Sequence, residues 1–134
     1  MRLPAMQLLT TVDTLVALLE RHRYTVTCER ELHEAIAVVL TTAGIEHRQE
    51  VRLSARDRPD FMVDGIVLEA KVSSWSGVVL RQVTRYLEHP EVTGLVLVTT
   101  RRRHSLPLEV SSKPVRVAFA SGAWSALFAW SPNI

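Results

Sequence analysis

A chain of 134 residues, of which 47% are hydrophobic and 22% charged, is long enough for one domain with a real core and too short for two. Its single cysteine, Cys28, excludes an intrachain disulfide and a cysteine-based zinc cluster, and fits a reducing compartment. The net charge is only +2, but the pI is about 9.1 and nearly all the basic residues are arginines, which bind phosphate in bidentate fashion.

The N-terminal part of the chain predicts two amphipathic helices. Apolar residues recur at helical spacing from about residue 4 to 22, without the apolar core and cleavage site of a signal peptide. A second helix is expected from about Cys28 to Thr42, with Thr27 as its N-cap and Gly44 as its stop. No apolar run approaches the roughly 20 residues that span a bilayer. We therefore expect a cytoplasmic protein with no membrane partner.

The dipeptide Asp64-Gly65 predicts a β-hairpin in the middle of the chain. Both residues tolerate the positive φ that a type I′ turn requires, and apolar residues flank them on either side. With this two-residue loop, Asp60 lies opposite Glu69 on one face of the hairpin, with Cβ atoms roughly 4.5–5.5 Å apart. Lys71 is expected on the same face. Opposed like charges destabilise a sheet unless something compensates, and a divalent cation would do so.

The remaining elements predict an α/β fold. An edge strand over 47–53 precedes the hairpin, and the later elements are a helix over 78–88, a buried parallel strand over 93–100, a loop over 105–113, a strand over 114–119 and a helix over 123–130. This order predicts a mixed central β-sheet flanked by helices on both faces. We expect a single domain, residues 1–134, with its core at about 28–119.

Asp60, Glu69 and Lys71 suit the hydrolysis of a phosphodiester bond. Both carboxylates can ligate Mg²⁺, a hard ion that prefers oxygen ligands, and the ion would polarise a phosphoryl oxygen and activate water. The lysine would act as catalytic base or stabilise developing negative charge. Lysine is scarce in this chain, with Lys113 as the second of only two. A surface hairpin with a cross-strand Glu–Lys pair is the structural alternative.

The segments Pro59-Asp60 and Glu69-Ala70-Lys71 resemble the motif of the PD-(D/E)XK nuclease superfamily. The resemblance covers about residues 28–100 and implies a restriction-endonuclease-like fold. It also implies metal-dependent hydrolysis of DNA, with Mg²⁺ as the cofactor and Mn²⁺ as a substitute. Asp60 and Glu69 would then be metal ligands, and Lys71 would be catalytic.

The helix before the hairpin extends this resemblance. It looks like the helix that supplies a further acidic residue in the superfamily, including in its VRR-Nuc branch. Glu29 is the best match for that third metal-site acid, and Glu31 and Glu34 compete with it. RecB-like members often carry a histidine ligand on this helix, so His33 is the second choice.

The helix after the hairpin carries Gln82-Val-Thr-Arg-Tyr86, similar to the Gln-x-x-x-Tyr motif of RecB-like members. A spacing of four puts Gln82 and Tyr86 on one helix face, where they would position groups of the catalytic site. Arginines would hold the phosphate backbone with salt-dependent affinity, and a tryptophan would stack on a base. The residues expected to bind nucleic acid are Arg56, Arg58, Trp75, Arg81, Arg85, Arg101, Arg102 and Arg103.

Together these features predict a Mg²⁺-dependent endonuclease that recognises DNA structure, because the sequence shows no zinc finger or separate helix-turn-helix to read bases. Cutting both strands needs two active sites, so a homodimer is a further hypothesis. One alternative is a catalytically inactive nuclease fold that binds DNA or protein. Another is a small interaction protein, such as an antitoxin or a regulatory subunit. The sequence leaves open DNA against RNA and endonuclease against exonuclease action.

Overall fold

The computed structural model describes residues 10–73, 76–101 and 105–122. These residues form three α-helices and six β-strands. The helices are α1 (Val12–Arg21), α2 (Glu29–Thr42) and α3 (Ser76–Leu87). The strands are β1 (Arg48–Gln49), β2 (Phe61–Val63), β3 (Ile66–Lys71), β4 (Gly94–Thr99), β5 (Glu109–Val110) and β6 (Lys113–Phe119). The helix predicted over 123–130 and the first residues of the one predicted over 4–22 lie outside the described residues.

The six strands form one mixed sheet in the order β1-β2-β3-β4-β6-β5. The pairs β1–β2, β2–β3 and β5–β6 are antiparallel, whereas β3–β4 and β4–β6 are parallel. Helix α3 is the crossover between β3 and β4, as the buried apolar run of β4 predicted. The expected mixed α/β class is thus confirmed. None of the described helices combines the length and the apolar composition that crossing a bilayer requires.

Buried side chains form one apolar cluster on each face of the sheet. Leu68 of β3 belongs to the cluster that includes the buried residues of α1 and α2. Its neighbour Val67 belongs to the cluster that includes the buried residues of α3. Because successive side chains of a strand point to opposite faces, α1 and α2 cover one face and α3 covers the other.

The described residues define where helices α1 and α2 begin. Helix α1 begins at Val12, because Thr11 caps it and exchanges hydrogen bonds with Thr14 in a capping box. The N-cap of α2 is Cys28, and the prediction of Thr27 was wrong. The backbone N–H and the hydroxyl of Thr27 instead donate to the carboxylate of Glu31 at 2.7 and 2.9 Å.

Two strands also differ from the prediction. Strand β1 covers only residues 48–49 of the predicted 47–53, because Glu50 has a φ of +52° and turns the chain out of the sheet. Strand β5 lies inside the predicted loop 105–113 and pairs with the start of β6. Its turn residues Ser111 and Ser112 both have positive φ, at +54° and +63°. Serine does not signal that geometry as Asn-Gly does, so the hairpin was missed.

Lys113 has a structural role at the end of α3. Its ammonium group donates to the carbonyl oxygens of Leu87 and His89 at 2.8 and 3.0 Å. These carbonyls lie at the C-terminal end of the helix, where a cation also interacts favourably with the helix dipole. One of the two lysines is therefore explained by the fold.

Candidate active site

The central hairpin places two carboxylates side by side. Asp64 and Gly65 have φ of +50° and +87°, as a type I′ turn requires. A side chain at Gly65 would also bring a Cβ within 2.9 Å of Thr93 Oγ1. From this turn the pairing of β2 with β3 runs outward in the predicted register, and Asp60 and Glu69 follow the last strand pair. The expected juxtaposition is confirmed.

Hydrogen bonds to the backbone fix one oxygen of each carboxylate. The N–H of Asp60 donates to Glu69 Oε1 at 3.0 Å, and the N–H of Ala70 donates to Asp60 Oδ2 at 2.8 Å. The second oxygens face other partners. Lys71 Nζ lies 3.6 Å from Glu69 Oε2, and Asp60 Oδ1 lies 4.0 Å from the ring of His33. The backbone thus holds both carboxylates in place while leaving Oδ1 and Oε2 for a ligand.

Burial gives this pair unusual proton affinities. Glu69 is only 4% exposed, and this burial, followed by the charge of Asp60, raises the pKa of Glu69 to about 8. Burial also raises the pKa of Asp60, although the Ala70 N–H, His33 and Lys71 work against that rise. The site therefore resists holding two negative charges without a compensating cation.

His33 reaches the carboxylates from α2. Its Nε2 lies 4.0 Å from Asp60 Oδ1 and 3.8 Å from an oxygen of Glu50, and its ring packs against Phe61 with centroids 4.4 Å apart. This Nε2 is buried and has no hydrogen-bond partner within the described part of the chain. Glu50 was not predicted to be a site residue, because its position depends on its positive φ, which no local motif signals.

Glu29 lies in the first turn of α2 and is exposed. Its charge contributes to raising the pKa of both hairpin carboxylates. The two competing acids have other partners. Glu31 binds Thr27, and Glu34 pairs with Arg30 at 2.9 Å on the exposed side of the helix.

Helix α3 presents Gln82 and Tyr86 to the same site. Gln82 Nε2 donates to the hydroxyl of Tyr86 at 3.0 Å, as their spacing predicted. Tyr86 is buried, and this burial, followed by the charges of Glu69 and Asp60, raises the pKa of its hydroxyl. The hydroxyl therefore keeps its proton at neutral pH and can donate a hydrogen bond.

A polar pocket of about 310 Å³ lies beside Glu69, between α3 and the loop 51–59. Arg56 and Arg58, both predicted to bind nucleic acid, line this pocket. Arg52 also lines the pocket, although it was not predicted to be a site residue. Of the other predicted nucleic-acid contacts, Arg81 is exposed on α3, whereas Trp75, Arg102 and Arg103 lie outside the described residues.

Two further arginines that were predicted to bind nucleic acid, Arg85 and Arg101, form hydrogen bonds within the protein. Arg85 donates through Nε to Asp57 Oδ1 at 3.0 Å, and His89 Nε2 lies 2.9 Å from Asp57 Oδ2. Although burial favours the neutral acid, hydrogen bonds with His89 and Arg85 hold the pKa of Asp57 below its ordinary value. Arg101 donates through Nε to the carbonyl of Val72.

The donor set of the hairpin fits a hard cation, because two carboxylate oxygens remain after the backbone hydrogen bonds. Within the residues that the structure describes, no group of three or more His, Cys, Asp or Glu side chains is placed to hold a metal ion. Mg²⁺ does not require such a group, since it retains several waters and is usually held by one or two carboxylates and a substrate phosphate.

Fold and site together define a mixed α/β protein in which a buried and a half-buried carboxylate lie beside a lysine. Comparison with protein-family models, with curated proteins and with solved structures finds no significant match to this chain. The geometry of the site, together with the motif of the hairpin, therefore carries the functional inference.

Proposed function

We propose that this protein is a metal-dependent nuclease that hydrolyses phosphodiester bonds of DNA. The single observation that carries the proposal is the pairing of Asp60 with Glu69 by backbone hydrogen bonds beside Lys71 Nζ. Two carboxylates held this close weaken a fold unless a positive charge compensates them, and a bound cation would supply that charge. Groups with such perturbed pKa values cluster at functional sites.

Asp60 Oδ1 and Glu69 Oε2 would hold the metal ion, with Mg²⁺ as the cofactor and Mn²⁺ as its substitute. The bound ion would supply charge neutralisation and Lewis acidity. Lys71, whose ammonium group lies 3.6 Å from Glu69 Oε2, stabilises the negative charge that develops on the phosphate. In the alternative role, a neutral amine at this position, formed by loss of a proton, accepts a proton from the attacking water. Tyr86, held by Gln82, donates a hydrogen bond from its hydroxyl group to a substrate oxygen and keeps its proton.

The order of elements supports a restriction-endonuclease-like fold. An acid-bearing helix, an antiparallel hairpin with the paired carboxylates, a crossover helix and a parallel strand follow one another in α2, β2–β3, α3 and β4. This is the order implied by the resemblance of the hairpin motif to the PD-(D/E)XK superfamily. The exposed arginines beside the site favour a phosphate backbone as the partner.

A cleavage panel tests the proposal. Linear, nicked, flapped and four-way DNA are incubated with the protein in the presence of Mg²⁺, Mn²⁺ or EDTA. We expect divalent-dependent cleavage with a preference among these structures. Asp60→Asn should abolish cleavage, and Lys71→Ala should reduce it by about a hundredfold or more, because a positive charge at the reacting phosphate is lost.

Asp64→Asn is the matched control for Asp60→Asn. It changes the other aspartate of the same hairpin, and asparagine tolerates the positive φ of the turn. Cleavage should therefore remain largely intact. Wild-type protein that binds DNA but never cuts it with either ion would support the catalytically inactive binding module instead.

A further inference from the structure

Three arginine side chains line the pocket beside Glu69. Arg52, Arg56 and Arg58 line it, and none of the three forms an ion pair with a carboxylate within the described part of the chain. Glu69 is the one acidic residue among the residues that line the pocket. Three guanidinium groups therefore outnumber one carboxyl group, which makes the pocket suited to an anion.

The loop that carries the arginines is built by its own hydrogen bonds. The carbonyl of Asp57 accepts from the N–H groups of Leu53 and Ser54 at 2.8 and 3.3 Å. The hydroxyl of Ser54 accepts from the N–H groups of Arg56 and Asp57 at 3.3 and 3.1 Å. The buried carboxylate of Asp57 then ties the loop to Arg85 of α3. A ligand would thus meet a preformed wall, which lowers the entropy lost on binding.

Helix α3 forms the second wall of the pocket and contributes a neutral hydrogen-bond donor, the hydroxyl group of Tyr86. Tyr86 accepts a hydrogen bond from Gln82 and keeps its own hydroxyl proton to donate. Guanidinium groups present N–H donors in a planar fork that matches the oxygens of a phosphate. The chemistry of both walls thus favours an oxyanion such as phosphate over an apolar ligand.

We propose that this pocket binds a terminal phosphate of a nucleic acid strand, adjacent to the position where the proposed nuclease activity cuts. A phosphomonoester carries about −1.5 to −2 charges and three terminal oxygens, whereas each internal phosphodiester carries one charge and two free oxygens. The pocket gathers three arginines around a single concave space of about 310 Å³. Internal phosphates are spaced along a strand, so a phosphorylated end suits this arrangement better.

Binding to labelled oligonucleotides in EDTA tests this inference separately from cleavage. The same sequence is compared with a 5′-phosphate, a 3′-phosphate or hydroxyls at both ends, by fluorescence anisotropy. An oligonucleotide two nucleotides longer with hydroxyl ends controls for total charge. We expect one phosphorylated end to bind at least about tenfold more tightly than either hydroxyl-ended strand, because charge-assisted hydrogen bonds are gained. The phosphorylated end that gives the tighter binding, 5′ or 3′, is the end that the pocket recognises.

A double variant locates the effect in the pocket. Arg56→Gln with Arg58→Gln should bring the phosphorylated and hydroxyl-ended strands to similar affinity. Arg23→Gln, which removes an exposed arginine outside the pocket, should leave the preference unchanged. Circular dichroism of each variant checks that the fold persists. Inorganic phosphate should weaken binding of the phosphorylated strand in the wild type and not in the double variant.

Equal affinity of the wild type for all ends, or a preference that survives the double variant, would overturn the inference. Neither result bears on metal-dependent cleavage, so the proposed nuclease function would stand. Conversely, a preference for phosphorylated ends in a protein that never cuts DNA would support the pocket while the catalytic proposal fails.

Discussion

The carboxyl group of Glu69 is buried against Asp60, and its pKa of about 8 lies well above the ordinary 4.5. Between these two values the folded protein holds a proton that the unfolded chain has released. The contribution of Glu69 to the free energy of unfolding is therefore largest below about pH 4.5, falls as the pH rises toward 8, and levels off above it. The raised pKa of Asp60 acts in the same direction.

We predict that metal-free protein loses on the order of a few kcal/mol of stability between pH 5 and 8, since a tenfold difference in proton affinity is worth about 1.4 kcal/mol. Glu69→Gln, which stays neutral, should flatten this dependence, and Glu88→Gln on the exposed surface should not. Urea denaturation in EDTA at a series of pH values measures it. Stability that rises with pH in the wild type would contradict the assigned burial of the pair.

A second prediction concerns His33 and Glu29, which the sequence offers as alternatives. His33 Nε2 lies 4.0 Å from Asp60 Oδ1, whereas Glu29 acts on the site only through its charge. His33→Gln should therefore raise the Mg²⁺ concentration needed for half-maximal cleavage by about tenfold, and Glu29→Gln by less. The titration of cleavage rate with Mg²⁺ distinguishes them. A larger effect from Glu29→Gln would make that acid the third ligand.

The residues of the site were predictable to different degrees. Asp-Gly restricts the turn to positive φ at both positions, so the juxtaposition of Asp60 with Glu69 followed from local sequence. The contact between Glu50 and His33 could not be predicted from local sequence. It depends on how α2 packs over the hairpin and on the positive φ of Glu50.

At the scale of elements, Asp57 fastens the loop 51–59 to α3. Its carboxylate is 4% exposed and binds both Arg85 and His89. These partners are 28 and 32 residues away in the chain, a separation at which no periodicity or turn signal applies. The sequence therefore predicted an extension of β1 where the structure has this anchored loop.

We predict that Asp57→Asn lowers the free energy of unfolding at pH 7 by about 2 kcal/mol, because it removes the buried negative charge that the half-buried Arg85 and His89 side chains both contact. Asp13→Asn is the matched control, since Asp13 pairs with Arg116 Nε at 2.9 Å but is exposed. Its loss should cost less than about 1 kcal/mol. Denaturant titration of both variants gives the comparison, and equal losses would show that burial is not what strengthens the Asp57 pair.

At the scale of the whole molecule, the sequence predicted the α/β class, the central hairpin and the parallel strand after the crossover helix. The parallel pairing of β3 with β4 followed from the fully apolar run of β4 and the intervening helix. The short edge hairpin of β5 and β6 did not follow, because its turn uses two serines in a conformation that serine rarely adopts.

We predict that DNA binding by the intact protein weakens steeply with salt. The three pocket arginines would displace at least three counterions, so the logarithm of the association constant should fall against the logarithm of salt concentration with a slope of about −3 or steeper. Anisotropy in EDTA at several salt concentrations measures this slope. A slope near zero would favour the interaction-protein hypothesis over any nucleic-acid role.

The chain has only two lysines, and they lie in different places, so the site can be observed by NMR spectroscopy. Lys113 is tied to the end of α3, and Lys71 stands at Glu69. Protein grown with lysine labelled by ¹³C at Cε would give two side-chain signals from this chain, one reporting on each place. The signal that disappears in Lys71→Arg belongs to Lys71. Titration with Mg²⁺ should change the chemical shift of this signal and leave that of Lys113 unchanged. Cation binding could thus be followed at a single atom before any substrate is found.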